Sequence, residues 1–99
     1  MENKKYHVIV DPAAFSEILE CVNFLKNVSF EAAELLFSEI INSINSLEEM
    51  PFRFPAVPEF TVLDQDEHKM IIGHGRYYVL YCIESDVVHI EYFGDVRKK

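Results

Sequence analysis

Apolar positions along this chain change their period twice. Tyr6 to Val10 is a short β-branched run closed by Asp11-Pro12, which predicts an opening strand. Phe15, Ile18, Leu19, Val22 and Leu25 then recur at spacings of three, one, three and three, which is one face of a helix. Asp is a good N-cap and Pro suits the first helical position, so Asp11 opens that helix. Asn27-Val28 interrupts it. Ser29 is placed to cap a second helix, with Glu31 in the first turn where the dipole favours an acid. Ala33, Leu36, Phe37, Ile40, Ile44 and Leu47 form its stripe. Helices over 11–27 and 29–49 leave almost no connection, so they form an antiparallel hairpin.

Met50-Pro51 ends the second helix, and Pro55 and Pro58 keep a crossover extended. From Phe60 onward the period is two or the run is continuously apolar. Phe60 to Leu63 reads as a short strand and Asp64 to Glu67 as an acidic turn. Lys69 to Ile72, Arg76 to Ile83 and Val87 to Phe93 read as further strands. Gly73-His74-Gly75 and Glu84-Ser85-Asp86 have the length and composition of hairpin turns. Tyr77, Val79, Tyr81 and Ile83 alternate with Tyr78, Leu80 and Cys82, so neither face of this strand is plainly polar. It reads as a central strand, covered by helices on one side and partly on the other.

The expected fold is therefore α+β: an N-terminal strand, then a helix hairpin packed on one face of a mainly antiparallel sheet of four or five strands. Phe15, Leu19, Val22, Leu36, Phe37, Ile40, Ile44, Val79 and Tyr81 are the expected core. Ninety-nine residues, 49% of them hydrophobic, suffice for one domain and one modest core. No apolar run approaches the roughly 18 to 20 residues of a membrane span. No secretory leader is expected, since Asp11-Pro12 cuts short any apolar segment after the first lysines. Cys21 and Cys82 lie in apolar patterns and read as buried free thiols of a cytosolic protein.

The formal net charge of −8 is uneven. Between residues 11 and 50, Asp11, Glu17, Glu20, Glu31, Glu34, Glu39, Glu48 and Glu49 face the single base Lys26. Such a field repels phosphates over about a Debye length, so direct nucleic-acid binding is not expected. The four histidines, His7, His68, His74 and His89, have no spacing that holds a metal from one element, and no metal or cofactor is expected. GxSxG is absent, and Gly73-x-Gly75 precedes a strand where a phosphate loop precedes a helix. The basic set Lys69, Arg76, Arg97, Lys98 and Lys99 remains, with Tyr77, Tyr78, Tyr81 and Tyr92 as aromatic faces. Alternating strands can bring Lys69, Arg76 and Arg97 together. Both ordinary surface charge and a small carboxylate-binding surface fit this set.

The ordered set of fragments resembles the RelE/ParE superfamily of type II toxin–antitoxin toxins over nearly the whole chain. It comprises the first strand, Asp11-Pro12-Ala13-Ala14-Phe15, the helix hairpin, Leu47-Glu48-Glu49-Met50-Pro51, His68-Lys69-Met70-Ile71-Ile72, Arg76-Tyr77-Tyr78-Val79-Leu80-Tyr81, and Val88-His89-Ile90 leading to Arg97. The resemblance implies a compact cytoplasmic bacterial toxin, of the kind associated with plasmid stabilisation, neutralised by an antitoxin protein that wraps over it.

Two branches of that superfamily differ in chemistry. RelE-like members cleave messenger RNA on the ribosome with Lys and Arg side chains on central strands and a Tyr near the end. Lys69 matches one such position, but Ile71 stands where another Lys is expected and Tyr78 where an Arg is. Arg97 matches the late Arg, and no Tyr follows it in this sequence. ParE-like members have no catalytic set and poison DNA gyrase by protein contact. That branch fits better, although Asp95-Val96-Arg97 departs from its His-x-Arg ending and His68 replaces an Arg. No catalytic residue is expected, and Lys69, Arg76, Tyr78, Tyr92, Arg97 and Lys98 are the candidate partner-binding residues. A non-toxic relative serving as a protein-binding module, or a RelE-like messenger RNA endonuclease, is the alternative.

Overall fold

In the computed structural model, which describes residues 5–62 and 65–97, the N-terminal strand β1 (His7–Val10) leads into helix α1 (Pro12–Lys26). The Asp11 side chain accepts a 2.8 Å hydrogen bond from the Ala13 N–H, so the cap sits where its chemistry predicts. Ser29 does the same for α2 (Phe30–Ser46), its Oγ accepting from the Ala32 N–H at 3.1 Å. A 3-10 turn over Pro51–Arg53 follows, then β2 (Ala56–Val62), β3 (Gln65–Ile72), β4 (Tyr77–Glu84) and β5 (Val87–Asp95). Among the described residues no helix is long and apolar enough to cross a membrane.

The five strands form one sheet in the order β1-β5-β4-β3-β2, with β4 in the middle. The sheet is mixed. Pairings β2–β3, β3–β4 and β4–β5 are antiparallel, whereas β1 runs parallel to β5 with His7 opposite Val87 and Val10 opposite Ile90. A parallel neighbour needs a long connection, and almost the whole chain separates these two strands.

Both helices contribute to the core on one face of this sheet. Ile18, Leu36, Ile40, Ile44 and Leu47 are buried together with Met70, Ile72, Tyr77, Val79, Tyr81, Val88, Ile90 and Phe93. Two expected core positions are corrected here: Phe15 and Leu19 are 41% and 39% exposed. The apolar arc of α1 is wider than its contact, and the helix is turned so that Ala14 and Ile18 are buried instead. An Ala at the contact lets the helix backbone approach the sheet closely. Val22 and Phe37 are half-buried against the core, and the other expected core residues are buried.

The strand boundaries are also corrected. β2 begins at Ala56, before Pro58, and Asp66 and Glu67 belong to β3 and not to a turn. Ala56 pairs with His68 and Val57 with Glu67. As an edge strand β2 tolerates a proline that a central strand would exclude. Leu63 and Asp64 lie outside the described residues. Arg76 sits in the turn before β4 and Tyr6 just ahead of β1. The helices are a little shorter than expected, ending at Lys26 and Ser46.

The β3–β4 turn carries three consecutive left-handed residues, Gly73 (φ 63°), His74 (φ 56°) and Gly75 (φ 87°), which explains its two glycines. The Gly73 N–H donates to Glu39 Oε2 at 2.8 Å, tying the turn to α2. The crossover is fastened at the other end of the sheet, where Tyr81 bonds to Pro51 and His68 Nδ1 lies 2.8 Å from the Phe54 carbonyl.

Candidate partner-binding face

Alternation along the strands gives the sheet a second face, away from the buried helix-side cluster. By register it carries Glu67, Lys69 and Ile71 of β3, Tyr78, Leu80 and Cys82 of β4, and His89 and Tyr92 of β5. Ile9 of β1 joins at the position opposite His89. The face mixes exposed and buried groups: Tyr92 and Ile71 are exposed, while Leu80 and Cys82 are buried.

Lys69 Nζ lies 5.1 Å from the centre of the Tyr78 ring, a cation–π contact that holds both side chains over this face. The Tyr78 ring crosses β5 at Gly94, where an added Cβ would come within 2.6 Å of it. A glycine at this register position therefore makes room for the ring. Tyr92 is 59% exposed, and its ring is the most open aromatic surface on the face.

Arg76 and Arg97 gather elsewhere, at the end of β5. Arg76 Nε is 3.1 Å from Asp95 Oδ2, and Arg97 Nε is 3.9 Å from Asp95 Oδ1. The Arg97 backbone N–H also donates to Asp95 Oδ1 at 2.9 Å. Asp95 pairs with Tyr77, whose ring belongs to the helix-side core, so this cluster is on the opposite face from Lys69. The expected meeting of Lys69, Arg76 and Arg97 thus splits into a lone Lys on one face and an Arg–Asp–Arg group at the sheet's end. The reason is register: Lys69 faces one side and Asp95, which collects both arginines, the other. Lys98 lies outside the described residues.

A second group on the open face has no counterpart in the sequence reading. The β4–β5 pairing slips between Leu80 and Tyr81, because Leu80 faces Tyr92 whereas Tyr81 faces Ile90. Glu91 is the extra residue of this bulge. Bulges re-aim side chains, and here Glu91 comes to the same cluster as Glu67 and Cys82, all three with ligand atoms within 4.8 Å of one another. Glu67 is 1% exposed. Burial, reinforced by the neighbouring Glu91 carboxylate, pushes its pKa up to about 8. The Cys82 thiol is pushed up to about 12 by burial and by Glu91, Glu67 and Glu84. At neutral pH Glu67 holds its proton and Cys82 stays a thiol.

A shallow depression along α2, lined by Glu31, Glu34, Leu35 and Ser38, belongs to the outside of a single helix and brings no converging chemistry. Compared with known families, the chain matches no family model, and it matches none of the curated proteins.

Proposed function

We propose that this chain is a cytoplasmic toxin of the type II toxin–antitoxin kind, of the RelE/ParE-like sort, that acts by protein contact and is neutralised by an antitoxin segment laid over the open sheet face. The observation that carries the reading is that face itself, with Tyr92 and Ile71 exposed and Lys69 setting a positive charge beside the Tyr78 ring. A face of this composition suits an apolar segment with acidic residues, docked by side-chain contact or by strand addition at an edge. The strand–hairpin–sheet order, together with the sequence resemblance, supports the toxin class.

The ParE-like branch, with DNA gyrase as target, is favoured over RNA cleavage by charge geometry. Stabilising a scissile phosphate requires several positive groups aimed at one point, with an acid and a base beside them. Here Lys69 stands apart from Arg76 and Arg97, and Asp95 engages both arginines. The test is induced expression in a bacterial host, with and without the adjacent small reading frame, reading growth, DNA supercoiling and messenger RNA ends. Growth arrest relieved by the neighbour, with altered supercoiling and intact messages, is the expected result. Codon-positioned cleavage lost in Lys69→Ala would move the chain to the endonuclease branch, and unaffected growth would make it a non-toxic binding module.

A further inference from the structure

Glu67 presents the sharpest unsolved chemistry in the fold. It is 1% exposed, and neither of its carboxylate oxygens meets a partner at full hydrogen-bond geometry, although Glu91 and Cys82 lie close enough to interact with it. Buried carboxylates are normally paired, hydrogen-bonded or coordinated to a metal. No Lys or Arg forms an ion pair with Glu67 or Glu91 among the described residues, and His89 on the neighbouring strand lies against Glu84, 3.7 Å away. What Glu67 does face is the Cys82 thiol and the Glu91 carboxylate, with the three ligand atoms all within 4.8 Å.

We propose that Glu67, Cys82 and Glu91 form a three-ligand site for a thiophilic divalent cation of the zinc class. The donors come from β3, β4 and β5, three neighbouring strands of one sheet, so their backbones are held in register by the ladder. Donors at about 2.0 to 2.3 Å from a tetrahedral zinc are roughly 3.5 Å from one another, so side-chain rotation of about an ångström closes the present spacing onto an ion. The bulge that re-aims Glu91 supplies the third donor. Three protein ligands leave the fourth tetrahedral position for water or for a donor brought by a partner. A thiolate in the set selects zinc or cadmium over magnesium and calcium, which take oxygen ligands in larger number.

The exchange balances without redox chemistry. A thiol and a carboxylic acid each give up a proton to solvent, one S–metal and two O–metal bonds form, and a dication replaces two protons. The net charge of the buried site is therefore the same before and after. This proposal is independent of the toxin reading, since it concerns a cation held by the isolated chain.

The test uses the purified full chain, stripped with a chelator and kept reduced by a thiol-free reductant. Cadmium titration should raise a thiolate-to-cadmium ultraviolet band that saturates at one equivalent, and zinc should suppress it by competition while magnesium does not. Cys82→Ala should abolish the band and Cys21→Ala should leave it. Glu67→Gln keeps the shape of the protonated side chain, so it preserves the fold. It should lower zinc affinity by more than the roughly 10- to 100-fold that loss of an outer-shell partner costs. Glu91→Gln should do likewise. Three outcomes overturn the site: no band at stoichiometric cadmium, a band that survives Cys82→Ala, or zinc affinity unchanged in Glu67→Gln.

Discussion

The Tyr81 hydroxyl donates a buried 2.7 Å hydrogen bond to the carbonyl of Pro51, thirty residues earlier, joining the central strand to the turn that follows the helix hairpin. The same ring stacks on His68, with centroids 5.3 Å apart, and burial pushes the phenol up to about 12. Removing only the hydroxyl orphans a buried acceptor. Tyr81→Phe should therefore cost about 1 to 3 kcal/mol in urea unfolding, the range for an unpaired buried group. A loss well under ~0.5 kcal/mol would mean that the crossover is not fastened here.

Two adjacent leucines on α2 should behave oppositely. Leu36 is buried against the sheet-side core, whereas Leu35 is 73% exposed. Leu36→Ala removes buried methyl groups and leaves a cavity, for about 2 to 5 kcal/mol. Leu35→Ala should stay within about 0.5 kcal/mol of the wild type. Equal losses in thermal unfolding would place the helix at a different rotation from the one described.

How well such positions could be anticipated depended on how local their causes are. Asp11 and Ser29 cap their helices through atoms two or three residues away, so their roles follow from the sequence directly. Phe15 and Leu19 share an apolar arc with Ile18, and only the rotation of α1 against the sheet decides which of them is covered. Asp66 and Glu67 resemble a turn in composition, yet pairing of this part of β3 with β2 makes them strand. The Glu67–Cys82–Glu91 cluster is less accessible still. Its members come from three strands and one depends on a bulge, so no spacing along the chain announces it. Arg76 and Arg97 were foreseeable as neighbours, but the register that separates Lys69 from them was not.

Glu67 also sets a pH dependence in the metal-free protein. In the folded chain it keeps its proton up to about pH 8, against an ordinary value of 4.5. Across that window the native state binds more protons than the unfolded state. Its contribution is therefore fully present below pH 4.5 and is lost as the pH rises toward 8. The groups around it are Cys82 from β4 and Glu91 from β5, with Glu84 acting on Cys82 and His89 lying against Glu84. With chelator present, Glu67→Gln should gain on the wild type across the window, by up to about 1.4 kcal/mol per pH unit. Parallel stability curves for the two proteins between pH 5 and pH 8 would show that Glu67 does not titrate in this way.

Arg97 tests whether the partner surface extends beyond the open face to the end of the sheet, without touching the core. It is exposed at the end of β5, beside Asp95, and Arg76 remains on the other oxygen of that carboxylate when Arg97 is changed. Arg97→Glu should therefore leave urea unfolding within about 1 kcal/mol of the wild type. If acidic side chains of the antitoxin approach this end of the sheet, the reversal turns attraction into repulsion and weakens the complex. Charges at the rim of an interface act mainly on encounter, so raised salt should slow wild-type association more than it speeds release. The salt dependence of association should be smaller, or reversed, in Arg97→Glu. Stopped-flow binding of the neighbouring gene product at two ionic strengths separates the two rates. Unchanged affinity in the variant would place the antitoxin's acidic residues elsewhere, with Lys69 on the open face as the next position to reverse.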